Sequence, residues 1–295
     1  MPTYEAMLEG SPAEPDLREG SLVFVGTATV LVQAGGFSFL TDPNFLHAGD
    51  HAHLGYGLTS ERLTEPALRP GDLPPLDFCL LSHLHGDHWD RIAERELPRR
   101  LRIVTTPHAA RALRGRGFPA ALGLRTWQTV RFRRASAWLE VMSLPARHAF
   151  GLAGRLLPPV MGSLVTFGLG GEARYRIYVS GDTLLHRALE ELPVRFPDLD
   201  LGLFHLGGTR VLGLLVTMDA EQGVAAVRLV NPKVAIPLHF DDYRVFRSPL
   251  GDFLRAAERE GLGERIHVLT RGERYRWDLA APGKGAPPPA PWAWS

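Results

Sequence analysis

Residues 82 to 88 read Ser-His-Leu-His-Gly-Asp-His and follow directly on the apolar run Phe78-Cys79-Leu80-Leu81. Three imidazoles and one carboxylate so close together form a donor set for a zinc-like ion, which takes nitrogen and oxygen ligands in a compact shell. A backbone that leaves a strand and turns tightly at Gly86 aims His83, His85, Asp87 and His88 into one small volume. A decorative His-rich loop is the bland alternative. With 12 histidines in 295 residues, chance is a poor source of this spacing.

The same arrangement recurs along the chain. Phe78 to Leu81 precedes His83, Val141 to Leu144 precedes His148, Ile177 to Val179 precedes Asp182, and Ala235 to Leu238 precedes His239. If adjacent strands run parallel, their carboxyl ends lie side by side and these groups converge on the rim where α/β sheets place their sites. Seven ligands then serve two ions: His83, His85 and His148 for one, Asp87, His88 and His239 for the other, with Asp182 bridging.

The elements that must position these residues are legible as short runs. Leu22 to Val25, Thr29 to Val32 and Phe37 to Leu40 alternate with glycine turns and read as an antiparallel meander ended by Asp42-Pro43. A long loop from Asn44 to Pro75 carries His47, His51 and His53 and reads as a pocket wall. Strands and helices then alternate: Phe78 to Leu81, a helix at Asp90 to Glu96, Arg102 to Thr105, a helix at His108 to Arg116, and strands at Trp127 to Phe132 and Ala137 to Leu144. The second half continues with strands at Leu164 to Phe167, Tyr175 to Val179, Leu201 to Phe204, Ala235 to Leu238 and Ile266 to Leu269. Its helices are expected at Leu184 to Leu192, Ala220 to Asn231 and Leu250 to Gly261. Residues 1–19 are expected to form an N-terminal extension, 20–280 a single domain, and 281–295 a Pro- and Ala-rich frayed tail.

Ser-His-Leu-His-Gly-Asp-His at 82–88, Ser-Gly-Asp-Thr at 180–183 and the isolated His148 and His239 resemble the metallo-β-lactamase superfamily. That resemblance implies an α/β fold, a four-layer αββα sandwich of two mixed β-sheets flanked by helices, and it implies the ligand assignment given above. Phe24 to Ala28 and Leu40 to Pro43 resemble the opening strands of the branch containing ascorbate-6-phosphate lactonase and N-acyl-phosphatidylethanolamine phospholipase D, so the likeness runs from about residue 20 to 278. The departures narrow the chemistry. The only thiol, Cys79, lies inside a strand ahead of His83, which removes support for the Cys-dependent β-lactamases; flavodiiron relatives carry a carboxylate where this chain has His85.

Other polar residues carry weaker signals. Asp182 alternatively caps a following helix, Asp42 orders a turn or buttresses a ligand, and Asp241 and Asp242 stand behind His239 or are solvated loop acids. His47, His51, His53, His108, His186, His205 and His267 lack that support and read mostly as structural; facing the pocket is the lesser reading for His51 and His53, which alternate in the long loop. Tyr243 is the candidate proton donor to a leaving group. Gly151 to Val165 and Gly207 to Met218 are apolar rim loops, expected to meet an apolar portion of a small-molecule substrate or a dimer contact.

The totals exclude several classes. Lys plus Arg number 33 against 32 acidic residues, a net charge of +1 without the footprint of a protein that binds extended nucleic acid. No apolar stretch is long enough for a transmembrane segment. The lone cysteine and the absence of a basic-then-apolar start point to the cytoplasm. The expected function is that of a dinuclear metal-dependent hydrolase in which a hydroxide between two divalent ions attacks a phosphodiester, lactone or ester bond. Asp87 and Asp182 act at the ions, with zinc the default and manganese or iron compatible. Two alternatives stand beside it: a metal-binding sensor or scaffold without turnover, and a nucleic-acid processing nuclease of the same fold.

Overall fold

The computed structural model describes residues 3–8, 18–55, 57–151 and 157–279. Its strands, in chain order, are β1 (Thr3–Met7), β2 (Glu19–Gly26), β3 (Thr29–Ala34), β4 (Phe37–Thr41), β5 (His51–Gly55), β6 (Leu58–Glu61), β7 (Phe78–Leu80), β8 (Arg102–Thr105) and β9 (Ala121–Gly123). They continue with β10 (Thr129–Arg134), β11 (Ala137–Leu144), β12 (Gly162–Leu169), β13 (Glu172–Val179), β14 (Leu201–His205), β15 (Arg210–Val211), β16 (Leu214–Leu215), β17 (Val234–Leu238) and β18 (Arg274–Asp278). The helices are α1 (Arg91–Glu96), α2 (Pro107–Gly115), α3 (Glu191–Arg195), α4 (Ala220–Val230) and α5 (Leu250–Arg259).

Two seven-stranded mixed sheets form, in the orders β1-β10-β11-β12-β13-β14-β17 and β18-β2-β3-β4-β7-β8-β9. Three buried clusters correspond to the three interfaces of a four-layer sandwich. The first joins the two sheets, and there Phe78 stacks on Phe39 at 4.8 Å within one sheet and on Phe132 of the other at 4.7 Å. Rings of this size each contribute about 1.5–3 kcal/mol on burial, so the stack is a principal clamp between the layers. A second cluster packs Leu40, Cys79 and Ile103 under α1 and α2, and a third packs Leu164, Tyr178 and Phe204 under α4 and α5. Caps fix where the helices start: Asp90 accepts from Ala93 N, Thr106 from Ala109 N and Asp219 from Gln222 N.

The meander β2-β3-β4 follows the sequence reading, and β7 and β8 stand where strands were expected; they pair in parallel with β4 and with β9, a strand outside that reading. Several elements differ from it. The N-terminal extension contributes β1, which pairs in parallel with β10 as an edge strand. The expected loop from Asn44 to Pro75 contains the hairpin β5-β6. The helix expected over Leu184 to Leu192 is replaced by non-helical chain to His186, a 3-10 turn at Arg187–Glu190 and the short α3, because Leu184 N and Leu185 N donate outside the segment, to Arg147 O and Gln222 Oε1. Ile266 to Leu269 is not a strand and makes only an isolated bridge from Ile266 to Ala235. The tail at 281–295 lies outside the described residues.

Candidate metal centre

The carboxyl ends of β7, β11, β13, β14 and β17 open onto one rim. The parallel register of β13, β14 and β17 sets Val179 beside Leu203 and Leu203 beside Ile236, so the segments that follow these strands emerge together. Three groups of donors assemble there, the ligand atoms of each lying within 4.8 Å of one another: His83, His85 and His148; Asp87, His88, Asp182 and His239; and Asp42, His88 and His205, which shares His88 with the second. All seven residues predicted from sequence are brought together, and all are buried.

The contacts within each group suit a shared cation better than hydrogen bonding. His83 Nε2 stands 2.9 Å from His85 Nδ1, which stands 3.3 Å from His148 Nε2. Nitrogens about 2.0–2.1 Å from a tetrahedral zinc are separated by roughly 3.3 Å, so these imidazoles present a ready-made face for such an ion. In the second group His88 Nε2 is 3.2 Å from Asp182 Oδ2, and His239 Nε2 is 3.3 Å from Asp87 Oδ2. Asp87 Oδ1 and His88 Nε2 are buried without a hydrogen-bond partner, a costly state unless a ligand completes them. The residues present therefore fit two divalent ions. Asp182 sits with the second group, reaching His88, His205 and His239.

Neighbouring groups orient the rings. His148 Nδ1 points at the carbonyl of Val216 at 2.6 Å and must carry the proton, which leaves Nε2 as the lone-pair atom. His239 Nδ1 faces Leu206 O at 3.3 Å in the same way. Asp42 accepts from Ser82 N and Ser82 Oγ, at 2.7 and 3.0 Å, and its other oxygen lies 3.4 Å from His88 Nδ1. Asp42 thus holds Ser82 and faces His88, and it stands with His88 and His205 in the third donor group.

Backbone geometry at the site is demanding. At Gly86 a Cβ would stand 2.6 Å from His53 N and 2.7 Å from His53 O, so only glycine lets the ligand loop pass under the β5-β6 hairpin. His239 itself has φ of 62°, and Thr27, whose carbonyl accepts from His239 N, has φ of 54°. Non-glycine residues in this region cost of order 1–3 kcal/mol each and persist only where surrounding structure overdetermines them.

Electrostatics divide the site. Burial, reinforced by His88 and His85, pushes His83 well below the usual imidazole range; burial and His148 bring His85 down to about 4. Both stay neutral near pH 7, as ligands must. Burial opposes ionisation of Asp87, but His88 and His239 outweigh it and hold the carboxyl at about 2. Burial opposes protonation of His88 as well, yet Asp182, Asp87 and Asp42 overcome it and raise its pKa.

The other candidates divide. His51 and His53 line a cleft of about 500 Å³ beside His85, together with Leu46, Leu84 and Trp89. Tyr243 stays outside the donor groups: it is buried, its hydroxyl donates to Asn44 Oδ1 at 2.9 Å, and burial pushes its pKa up. Asp242 is fully buried against Arg62, while Asp241 pairs with Arg271 at the surface. Asp182 does not cap a helix. His205, read as structural from sequence, lies at the centre, with Nδ1 3.3 Å from Asp182 Oδ1. Its signal was present: it ends the apolar run Leu201 to Phe204 as the four predicted groups end theirs.

Fold and site together define a β-lactamase superfamily protein. A model of the β-lactamase superfamily domain matches residues 38–240, and the chain belongs to that superfamily. Among its curated relatives, a UPF0173 metal-dependent hydrolase of Carboxydothermus hydrogenoformans is 27% identical over 264 residues, 85% of this chain and 97% of the relative. The fold is similar to that of an isothiocyanate hydrolase from Delia radicum gut bacteria, with a TM-score of 0.74, 19% identity and coverage of 88% of this chain and 99% of that one. It is also similar to CmlA, a diiron β-hydroxylase from Streptomyces venezuelae, with a TM-score of 0.62, 17% identity and coverage of 92% and 55%.

Proposed function

We propose that the protein is a dinuclear metal-dependent hydrolase acting on a phosphodiester or on a lactone or ester bond of a small molecule. The observation that carries this reading is the pair of donor groups, His83/His85/His148 and Asp87/His88/Asp182/His239, side by side on one buried rim. Divalent ions bound there acidify water and polarise the oxygen of the bond under attack. The chain supplies the rest. Asp87, ionised near neutrality and with Oδ1 free of hydrogen bonds, is placed to orient the attacking water. Asp182, which sits with the second group, would be the carboxylate to serve both ions. Val216, Leu206 and Asp42 hold the imidazoles in the tautomers that ligation requires.

Zinc is the first choice of metal, and iron is the next, given that a protein of like fold is a diiron enzyme. The choice of lactone and phosphodiester bonds rests on the likeness of residues 24–28 and 40–43 to the lactonase and phospholipase D branch. The isothiocyanate hydrolase of like fold adds isothiocyanates to the classes worth assaying. An apolar portion of the substrate is supported by Leu212, 99% exposed, and Leu214, 56% exposed, on the β15-β16 hairpin that also carries the loop to Val216. Among the described residues no helix is long and apolar enough to cross a membrane. Cys79, buried in β7, fits a reducing cytoplasm. The deciding experiment is metal analysis of the purified protein, followed by assay of the reconstituted form against paired panels of phosphodiesters, lactones, aryl esters and isothiocyanates. Two ions per chain with metal-dependent turnover are expected. Tight metal binding with no turnover on any panel would favour a sensor or scaffold, and steeply salt-dependent cleavage of nucleic acid would favour a nuclease.

A further inference from the structure

His205, the last residue of β14, is fully buried and stands outside the two groups that hold the seven predicted ligands, meeting only Asp42 and His88 in the third donor group. Its position is set by strand register. Val179 pairs with Leu203, Ser180 N donates to Leu203 O at 2.9 Å, and His205 N donates to Ser180 Oγ at 2.8 Å, so the end of β14 is stitched to the turn that presents Asp182. That stitching delivers His205 Nδ1 to 3.3 Å from Asp182 Oδ1. The other carboxylate oxygen, Oδ2, faces His88 Nε2 at 3.2 Å. The His205 ring also lies nearly parallel to those of His88 and His239, at centroid distances of 5.8 and 5.7 Å, which leaves it no room to turn away.

We propose that His205 is a positioning residue: its Nδ1–H donates to Asp182 Oδ1 and thereby fixes the carboxylate plane, so that Asp182 presents a defined oxygen to the metal ions. The inference rests on the reading of Asp182 as a metal ligand. A carboxylate at the end of a short turn rotates about its last bond, and Gly181, with φ of 61°, leaves the turn itself little stiffness. A buried imidazole locked by its own neighbours removes that freedom. Outer groups of this kind govern metal affinity by factors of about 10 to 100.

The test uses His205→Ala and His205→Asn in the full chain, with zinc affinity measured by chelator competition and zinc stoichiometry by elemental analysis. His205→Ala is expected to weaken zinc binding about 10- to 100-fold, most at the ion held by the group that contains Asp182. In His205→Asn the side-chain amide places an N–H close to where Nδ1–H stands, and affinity is expected to return to within about threefold of the parent. Should the alanine cavity unfold the protein, His205→Leu fills the space without a donor and takes its place. Parental affinity in the donor-free variant overturns the proposal, and so does an asparagine variant as weak as alanine. A third zinc ion in the parent, lost in both variants, overturns it too, since the free Nε2 would then be a ligand. A parent that binds fewer than two ions sinks the dinuclear reading itself. A parent with two ions and no rescue by asparagine sinks only the role of His205.

Discussion

Arg62 and Asp242 form an ion pair with neither side chain in contact with solvent, 3.4 Å apart. The pair does not touch the ligands directly, but it ties together the segments that carry them. Asp242 also accepts from Thr27 N at 2.7 Å and from Arg271 Nε at 3.0 Å, and Arg62 also donates to Asn44 Oδ1. Thr27 O in turn accepts from His239 N, so the strained ligand His239 is anchored through this buried charge. Asp242→Asn leaves Arg62 without a counter-charge and is expected to cost about 3–5 kcal/mol, read as a lower denaturant midpoint.

The same pair predicts an acid limb. Burial opposes ionisation of Asp242, but Arg62 and Arg271 outweigh it and hold the carboxyl below its usual range. A carboxyl depressed in the folded state contributes stability that is complete above the unfolded value and is lost as pH falls through the folded one. Urea midpoints measured between about pH 6 and pH 2.5 should therefore fall steeply for the parent at the acid end. For Asp242→Asn the fall should be shallower, and equal slopes would remove Asp242 as the cause.

Metal removal should destabilise the fold. Ions that bind only the folded state add RT ln(1 + [L]/Kd), about 4 kcal/mol at a thousandfold excess over Kd. Exhaustive chelation is expected to lower Tm by several degrees, and re-addition of zinc to restore it. His148→Ala should remove one ion and keep the second group able to bind, whereas His239→Ala should do the reverse. Identical losses in both variants would contradict two separable groups.

Gly86→Ala places a methyl group against the backbone of His53. Overpacking of this kind costs about 1–3 kcal/mol, and relief requires the β5-β6 hairpin to lift from the ligand loop. Lower stability and a weaker zinc affinity should appear together. A variant that loses neither would show that the hairpin is free to move.

Tyr243→Phe separates two roles for the phenol. A proton donor to the leaving group predicts a loss of turnover that grows with leaving-group pKa. A brace on Asn44 predicts a uniform loss of a few fold, and the hydrogen bond to Asn44 Oδ1 makes the uniform loss the expected result. On the apolar hairpin, Leu214→Ser with Leu215→Ser should raise KM for substrates with long acyl groups while zinc content stays at the parental level.

Most of the architecture was legible because apolar periodicity is a local signal. β11 spans the residues read from its alternation, and the meander before Asp42 appeared where glycine turns bracketed it. The misreadings share a cause in context. β18 has exposed, polar alternate residues, so its sequence carries little of the burial that Trp277 finds against Tyr175. Leu184 to His186 has helical composition but is held non-helical between Arg147 and Gln222.

By itself, the sequence determined the type of chemistry: a run of His and Asp after a strand is a donor set whatever surrounds it, and the ends of the later strands marked the remaining donors. Only the tertiary structure decided how those donors divide into groups, that Asp182 leans toward His88 and His205, and that Tyr243 is turned to Asn44. The physical reason is that hydrogen bonds and ligand distances depend on sheet register and loop closure between residues far apart in the chain. A histidine after an apolar run looks the same in sequence whether its ring is a ligand, a brace or a filler; His205 differs from the others only through the strand that lies beside it.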